Sequence, residues 1–161
     1  MDAITYRKAT KSDCLALARL KGEVWKTTYR GIYADESLDQ YDVPKNQKIF
    51  ESIVDDPGIQ LYLAECGGVP VGLMTCGRLF KPYEDFQQEV GLLYILKEYQ
   101  RQGIGKGFLD IAREQVRQNG YQVFLISVNS RNQAAIAFYT AMGGQLIHRD
   151  DRQCRLRFSI K

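Results

Sequence analysis

Metal-binding and cross-linking side chains are scarce in this sequence. It holds a single histidine, His148, which excludes a His-rich metal site. Its four cysteines, Cys14, Cys66, Cys76 and Cys154, are scattered and form no Cys-x-x-Cys pair, which argues against a disulfide framework and a structural zinc site. No apolar run approaches the roughly 18–20 residues of a membrane span. The opening residues, Met1 to Arg7, lack the apolar core of a signal peptide. Neither sign of charge dominates: 22 Lys and Arg stand against 19 Asp and Glu, net +3, too little by itself to indicate a nucleic-acid binder. The excess lies in the second half, where residues 81–161 carry 12 basic and 8 acidic groups. The expectation is a cytoplasmic, reducing-compartment protein without metal, membrane or nucleic-acid partners.

What is present suits one folded domain spanning 1–161. The length is that of a single domain, and 45% apolar with 25% charged residues is ordinary for a folded chain. Ala3–Lys8 reads as a strand. Thr10, with Asp13 three residues on, offers a helix start, and Cys14, Leu17, Leu20 (or Lys21) and Val24 recur at helical spacing up to about Tyr29. Helices follow near Asp35–Tyr41 and from Pro44 to Val54. Ile59–Cys66 and Val69–Phe80 read as strands joined at Gly67-Gly68. Lys81–Phe86 is a loop and Gln87–Leu96 a strand. A helix from about Gly105 to Asn119 has Phe108, Leu109, Ile111, Ala112 and Val116 on one face. Tyr121–Val128 is a buried strand, Asn132–Met142 a helix, and Gln145–Arg149 and Cys154–Ile160 the last strands. No repeat or low-complexity segment interrupts this order, which predicts a mixed α/β sheet with a βαβ crossover in its second half. Cys66 and Cys76 lie on strands and are expected to be buried. Arg149, Arg152, Arg155 and Arg157 are expected on a solvated strand face, and His148 is read as structural.

The most informative stretch is Tyr99-Gln100-Arg101-Gln102-Gly103-Ile104-Gly105-Lys106-Gly107, between a strand and a helix. Unpartnered amides at a helix start, together with the positive end of the helix dipole, favour a phosphate. Glycines let the backbone approach it, and Arg101 and Lys106 add charge. The Walker spacing fails, because Gln100 stands where its first glycine belongs and Gly107 follows Lys106. The dinucleotide spacing fails at Phe108. On these residues alone, a tight turn without a ligand remains as open as an anion site.

Three motifs in order over residues 89–144 resemble the GNAT superfamily of acyl-CoA-dependent N-acetyltransferases. Gln100-Arg101-Gln102-Gly103-Ile104-Gly105 fits the family's Gln/Arg-x-x-Gly-x-Gly/Ala motif at every fixed position. Glu89-Val90-Gly91-Leu92-Leu93-Tyr94-Ile95 resembles the strand ahead of that motif. Asn132-Gln133-Ala134-Ala135-Ile136-Ala137-Phe138-Tyr139 resembles the family's Asn-x-x-Ala-x-x-Phe-Tyr segment. Lys97 stands where proline is common, and Gly144 where an aromatic is common.

The resemblance implies a fold of about seven mostly antiparallel strands with a splayed parallel central pair, and acetyl-CoA as cofactor. It implies that the backbone of Leu93, Tyr94 and Ile95 pairs with the pantetheine arm, that the amides of Gln102 to Lys106 hold the pyrophosphate, and that Asn132 contacts the pantetheine region. Gln100 and Arg101 belong to the same cofactor segment. Tyr139 is the candidate general acid for the leaving thiolate; its alternative is a core tyrosine beside Phe138. The acceptor amine must lose a proton, and Glu89 is the candidate base, with Glu23, Glu84 and Asp85 as rivals. Trp25, Tyr29 and Tyr33 are candidates for one wall of the acceptor pocket, through a flat apolar or cation–π surface, and Glu84 for attracting a cationic amine. No Ser or Cys nucleophile is required. The reading is direct transfer of acetyl to a primary amine in a ternary complex. A small-molecule acceptor (polyamine, amino sugar or amino acid) is favoured over a protein N-terminus or lysine. A non-catalytic acyl-CoA-binding domain and a nucleotide-binding protein are the competing classes. Such a fold also leaves room for a homodimer through the C-terminal strands.

Overall fold

Gly67 and Gly68 close the first hairpin. Both take positive φ, 59° and 80°, the pair of values that a tight two-residue turn between right-twisting strands requires. They join β2 (Ile59–Cys66) to β3 (Val69–Gly77). In the computed structural model, which describes residues 3–161, the remaining strands are β1 (Ile4–Lys8), β4 (Glu89–Ile95), β5 (Val123–Asn129), β6 (Gln145–Arg149) and β7 (Gln153–Ser159). The helices are α1 (Cys14–Thr28), α2 (Asp35–Asp39), α3 (Val43–Asp55), α4 (Ile104–Gln118) and α5 (Gln133–Ala141).

The strands form one seven-stranded sheet in the order β1-β2-β3-β4-β5-β7-β6. β1 runs antiparallel to β2, and β7 antiparallel to both β5 and β6, whereas β4 and β5 are parallel. The expected mixed α/β class with one parallel pair therefore stands. Several boundaries differ from expectation: β5 starts at Val123 rather than Tyr121, and α2 ends at Asp39 rather than Tyr41. β3 stops at Gly77, whose φ of 130° breaks the extended run before Phe80. β4 starts at Glu89 rather than Gln87, because Gln88 is engaged with the end of α4 instead. The 3-10 turns Lys11–Asp13, ahead of α1, and Lys97–Tyr99 are too short to leave a periodic signal.

Chain contacts group into two compact units, each assembled from two stretches: residues up to Thr75 with Leu92–Gly105, and Cys76–Gly91 with Lys106–Lys161. The first is built on α1. Cys14, Leu17, Ala18, Leu20 and Val24 face Phe50 and Ile53 of α3 and Ile59, Leu61 and Leu63 of β2. The helix begins as the sequence suggests, with the Thr10 amide donating to Asp13 Oδ2 at 2.7 Å. Arg7 of β1 then bridges Asp13 and Glu65, at 2.8 and 3.0 Å.

The second unit packs α4, α5 and the β5–β7 pair. Phe108, Leu109, Ala112 and Val116 of α4 are fully buried, as are Phe124 and Phe158, whose rings stack at 5.1 Å. A buried polar chain joins the start of β4 to the end of α4: Gln115 Nε2 donates to Asn119 Oδ1 (2.9 Å), and Asn119 Nδ2 donates to Gln88 Oε1 (2.8 Å). Cys76 is buried as expected, but Cys66, at the hairpin end of β2, is only half-buried. β6 lies at the sheet edge with all five residues exposed, and a register shift falls between Leu146 and His148. His148 faces the turn that follows, with Nε2 2.9 Å from Asp150 Oδ2. Asp150 Oδ1 accepts the amides of Arg152 and Gln153, so this histidine serves a turn, as the sequence suggests.

Gly144 explains why an aromatic cannot stand at that position here. A Cβ there would lie 2.8 Å from Tyr139 O and 2.8 Å from the Phe158 ring, both held in the packed interior. Gly144→Ala should therefore destabilise the protein by about 1–3 kcal/mol, read as a lowered urea midpoint with an unchanged slope.

Candidate active site

The turn ahead of α4 is shaped by two left-handed residues. Arg101 has φ 62° and Gly103 φ 89°. A non-glycine residue in that region is uncommon, and its cost is sustained only where the surroundings hold it. Here Gln100 and Gln102 provide the hold. Gln100 Nε2 donates to Ile95 O (3.0 Å) and Thr28 Oγ1 (3.1 Å), and Gln102 Nε2 to Glu98 O (2.9 Å). The next residue but one, Ile104, is 1% exposed and anchors the start of α4 while its carbonyl accepts the Tyr6 hydroxyl at 3.3 Å. The first amides of a helix have no acceptor within it. Alternating backbone handedness just before them adds a concave set of N–H groups suited to an anion. Lys106, in the first turn of α4, is exposed and forms a surface pair with Asp110 at 3.2 Å.

Within the same unit, Trp25, Tyr29 and Tyr33 come together as anticipated. Trp25 stacks on Tyr33 with centroids 5.5 Å apart, and Tyr29 tilts against Tyr33 at 5.1 Å. Tyr94 of β4 meets Tyr29 edge-on at 6.0 Å, so its side chain joins this cluster. Leu93 and Ile95 flank it on β4 and are half-buried. Two members were not foreseen. Tyr41 lies 5.7 Å from Trp25 and donates its hydroxyl to Ala18 O at 2.6 Å. Lys21 places its ammonium 5.1 Å from the Trp25 centroid and donates to Asn46 Oδ1 at 2.9 Å. Burial lowers the Lys21 pKa from the ordinary lysine value. A signal for it exists in the sequence, since Lys21, Trp25 and Tyr29 recur every fourth residue and share one helix face.

The second unit holds the other candidates. Glu89 is half-buried at the start of β4, and one oxygen accepts the Phe80 amide at 2.8 Å. Burial raises its pKa above the usual carboxylate range, with the Phe80 amide and the positive charge of Arg155 opposing. Tyr139 on α5 is 8% exposed, edge-on to Phe158 at 6.3 Å and tilted against Phe138 at 5.3 Å. Asn132 is the N-cap of α5, where its Oδ1 accepts the Ala135 amide at 3.2 Å. Of the acidic rivals, Glu84 sits exposed in the loop with φ 49°, and Asp85 and Glu23 are exposed as well.

Arg155 corrects one expectation. Arg149, Arg152 and Arg157 are solvated, but Arg155 is half-buried, its guanidinium carbon 4.0 Å from the centroid of Tyr83. Strand alternation puts Arg155 and Arg157 on one face. The approach of the 81–86 loop, which covers one of the two and leaves the other in water, has no local sequence signal.

Among the described residues no helix is long and apolar enough to cross a membrane, and no group of His, Cys, Asp and Glu gathers where it would hold a metal ion. Residues 23–143 match the model of the family described as acetyltransferase (GNAT) family. The chain is 28% identical over 151 residues to the uncharacterized N-acetyltransferase YuaI of Bacillus subtilis (strain 168), covering 92% of this chain and 84% of that one. It is 23% identical over 141 residues to the L-amino acid N-acyltransferase MnaT of Escherichia coli (strain K12), covering 87% and 78%. Its fold superposes with a TM-score of 0.85 on the PaiA N-acetyltransferase from Thermoplasma acidophilum in complex with coenzyme A, at 22% identity over 98% of this chain and 99% of that one.

Open space surrounds Gly103, with nothing within 4 Å of where a Cβ would stand. Its requirement for glycine is thus conformational. Gly103→Ala should cost about 1–2 kcal/mol through the left-handed backbone alone, measurable by urea unfolding without any ligand.

Proposed function

The chain belongs to the GNAT acetyltransferase family, and from that premise we propose that it moves the acetyl group of acetyl-CoA onto a primary amine of a small molecule. The observation that carries this reading is the turn ahead of α4, where left-handed Arg101 and Gly103 lead into the free amides of the helix start. That donor set suits a diphosphate, with Gln102 to Lys106 supplying the backbone amides and Arg101 and Lys106 the charge. The PaiA structure, which holds coenzyme A on a similar fold, supports the assignment. A small acceptor is supported by the near balance of charge, 22 Lys and Arg against 19 Asp and Glu, which gives no strong field of one sign for a macromolecule.

Acetyl-CoA supplies a thioester carbonyl activated toward amines. The acceptor nitrogen bonds to the carbonyl carbon, and the carbon–sulfur bond breaks. Glu89 accepts the proton that the amine must shed, directly or through water, since a free alkylamine has a pKa near about 10. Its burial, which raises its pKa from the usual carboxylate value, brings that pKa nearer the working pH of a base. Tyr139 gives its phenolic proton to the departing sulfur. Trp25, Tyr29 and Tyr33 offer, within their own unit, an aromatic surface that suits an amine-bearing ligand. Most of the acceleration comes from holding amine and thioester together, in the manner of other direct-transfer sites.

Calorimetric titration should find binding of coenzyme A and acetyl-CoA but not of ATP, followed by free-thiol release with a panel of amines. No binding of either CoA species would overturn the reading. Tyr139→Phe should lower kcat by about 10²-fold or more and leave acetyl-CoA affinity unchanged; an unaltered kcat would remove Tyr139 from the chemistry. In the wild type, kcat/KM should fall as the pH drops through the raised Glu89 pKa, because a protonated carboxyl cannot accept the amine's proton. Glu89→Gln should abolish that acid limb, and a profile that keeps it would assign the base elsewhere.

A further inference from the structure

Arg155 has the features of a ligand-binding side chain whose ligand is an anion. Its guanidinium carbon lies over the Tyr83 ring, 4.0 Å from the centroid, and Nη1 donates to Ser127 Oγ at 3.2 Å. Its Nε is buried and has no acceptor. Arg155 takes part in none of the ion pairs found among the described residues. A buried N–H without a partner is costly, and a native fold seldom leaves one without a reason. The planar guanidinium fork, already oriented by stacking, matches the two oxygens of a carboxylate.

Strand register places this fork beside the proposed base. Arg155 pairs with Ser127 across β5 and β7, Arg157 with Leu125, and Glu89 with Leu125 across β4 and β5. Paired residues, and residues two apart on a strand, share one sheet face. Glu89, Leu125, Ser127 and Arg155 therefore lie on the same face. Two strand spacings across and two residues along the strand separate the backbones of Glu89 and Arg155, about 12 Å. The two side chains carry opposite charges, yet the Glu89 carboxylate takes the Phe80 amide rather than the guanidinium. The opposite charges of such a pair suit a small zwitterion, its amine toward the carboxylate and its carboxylate toward the guanidinium.

We propose that Arg155 binds the α-carboxylate of a free α-amino acid acceptor whose amine faces Glu89. Arg155 is then a specificity-determining residue for the reaction. The inference rests on the acetyltransferase reading above for the role of the bound amine, though not for the binding itself. A polyamine would bring a cation against the guanidinium. An amino sugar offers it no anion. A protein N-terminus presents an amide where the carboxylate is needed.

The test compares L-amino acids with their α-amides as acceptors, in the wild type and in Arg155→Gln, with the fold of the variant checked by its unfolding midpoint. The free acids should be preferred. Arg155→Gln should raise KM for the acids by roughly 10- to 100-fold relative to KM for the amides, and any change in kcat that follows from removing its charge beside Glu89 should be the same for acids and amides. Arg155→Lys, which keeps the charge and loses the fork, should recover only part of the affinity. A merely structural arginine would shift acids and amides together, and that result overturns the proposal, as does an equal preference in the wild type. If no amine is acetylated, titration of the CoA-saturated protein with the same acids and amides separates the two ideas. Binding of acids alone, lost in Arg155→Gln, upholds the carboxylate site while the acetyltransferase reading fails. Binding of neither overturns the site.

Discussion

Two parallel backbone pairs, Glu89 with Leu125 and Val90 with Ile126, fix the chemistry this sheet can present. Glu89 is held at the start of β4 by that ladder, and the preceding Gln88 is tied to Leu125 N and to Asn119 on either side. A shift of one residue would send Glu89 to the opposite face, away from Ser127 and Arg155. The hydrogen bond from Asn119 to Gln88 guards against such a shift. A slip would leave the buried Gln88 amide without that partner, which is worse than never having buried it.

Polar groups that the fold does not satisfy point to what it binds. Each unit has an ordinary apolar interior, the first around the α1–α3–β2 cluster and the second including the stacked Phe124 and Phe158. The leftover donors lie elsewhere. The amides that open α4 lie in a turn kept in strained handedness by Gln100 and Gln102, and Arg155 Nε is buried against an aromatic ring. The first are donors at an open surface turn, whereas Arg155 Nε is shielded from water, where an anionic partner gains more.

Much of this was legible in the residues. The hairpin at Gly67-Gly68, the helix start at Thr10 and Asp13, the apolar face of α4 and the glycine turn all follow from local rules of backbone freedom and spacing. Trp25, Tyr29 and Tyr33 could be grouped because helical spacing and a short following turn keep them near one another. Arg155 shows where such reasoning ends. Its alternation with Arg157 gives the strand face correctly, yet whether that face meets water depends on the loop carrying Tyr83, about seventy positions earlier in the chain. Lys21 is similar: its helix face is readable, but the burial that lowers its pKa is created by Asn46 and Tyr41 on other elements.

The sequence by itself determined the order of strands and helices, the turns, and the family to which the chain belongs, because these depend on φ preferences, periodicity and motif spacing over a few residues. Only the tertiary structure decided which strand pairs with which, that Glu89 loses water and so resists ionising, and that one arginine of an alternating set is stacked and left with a free donor. Those properties arise from desolvation and strand register, which are set by segments distant in the chain and have no counterpart in any local stretch of sequence.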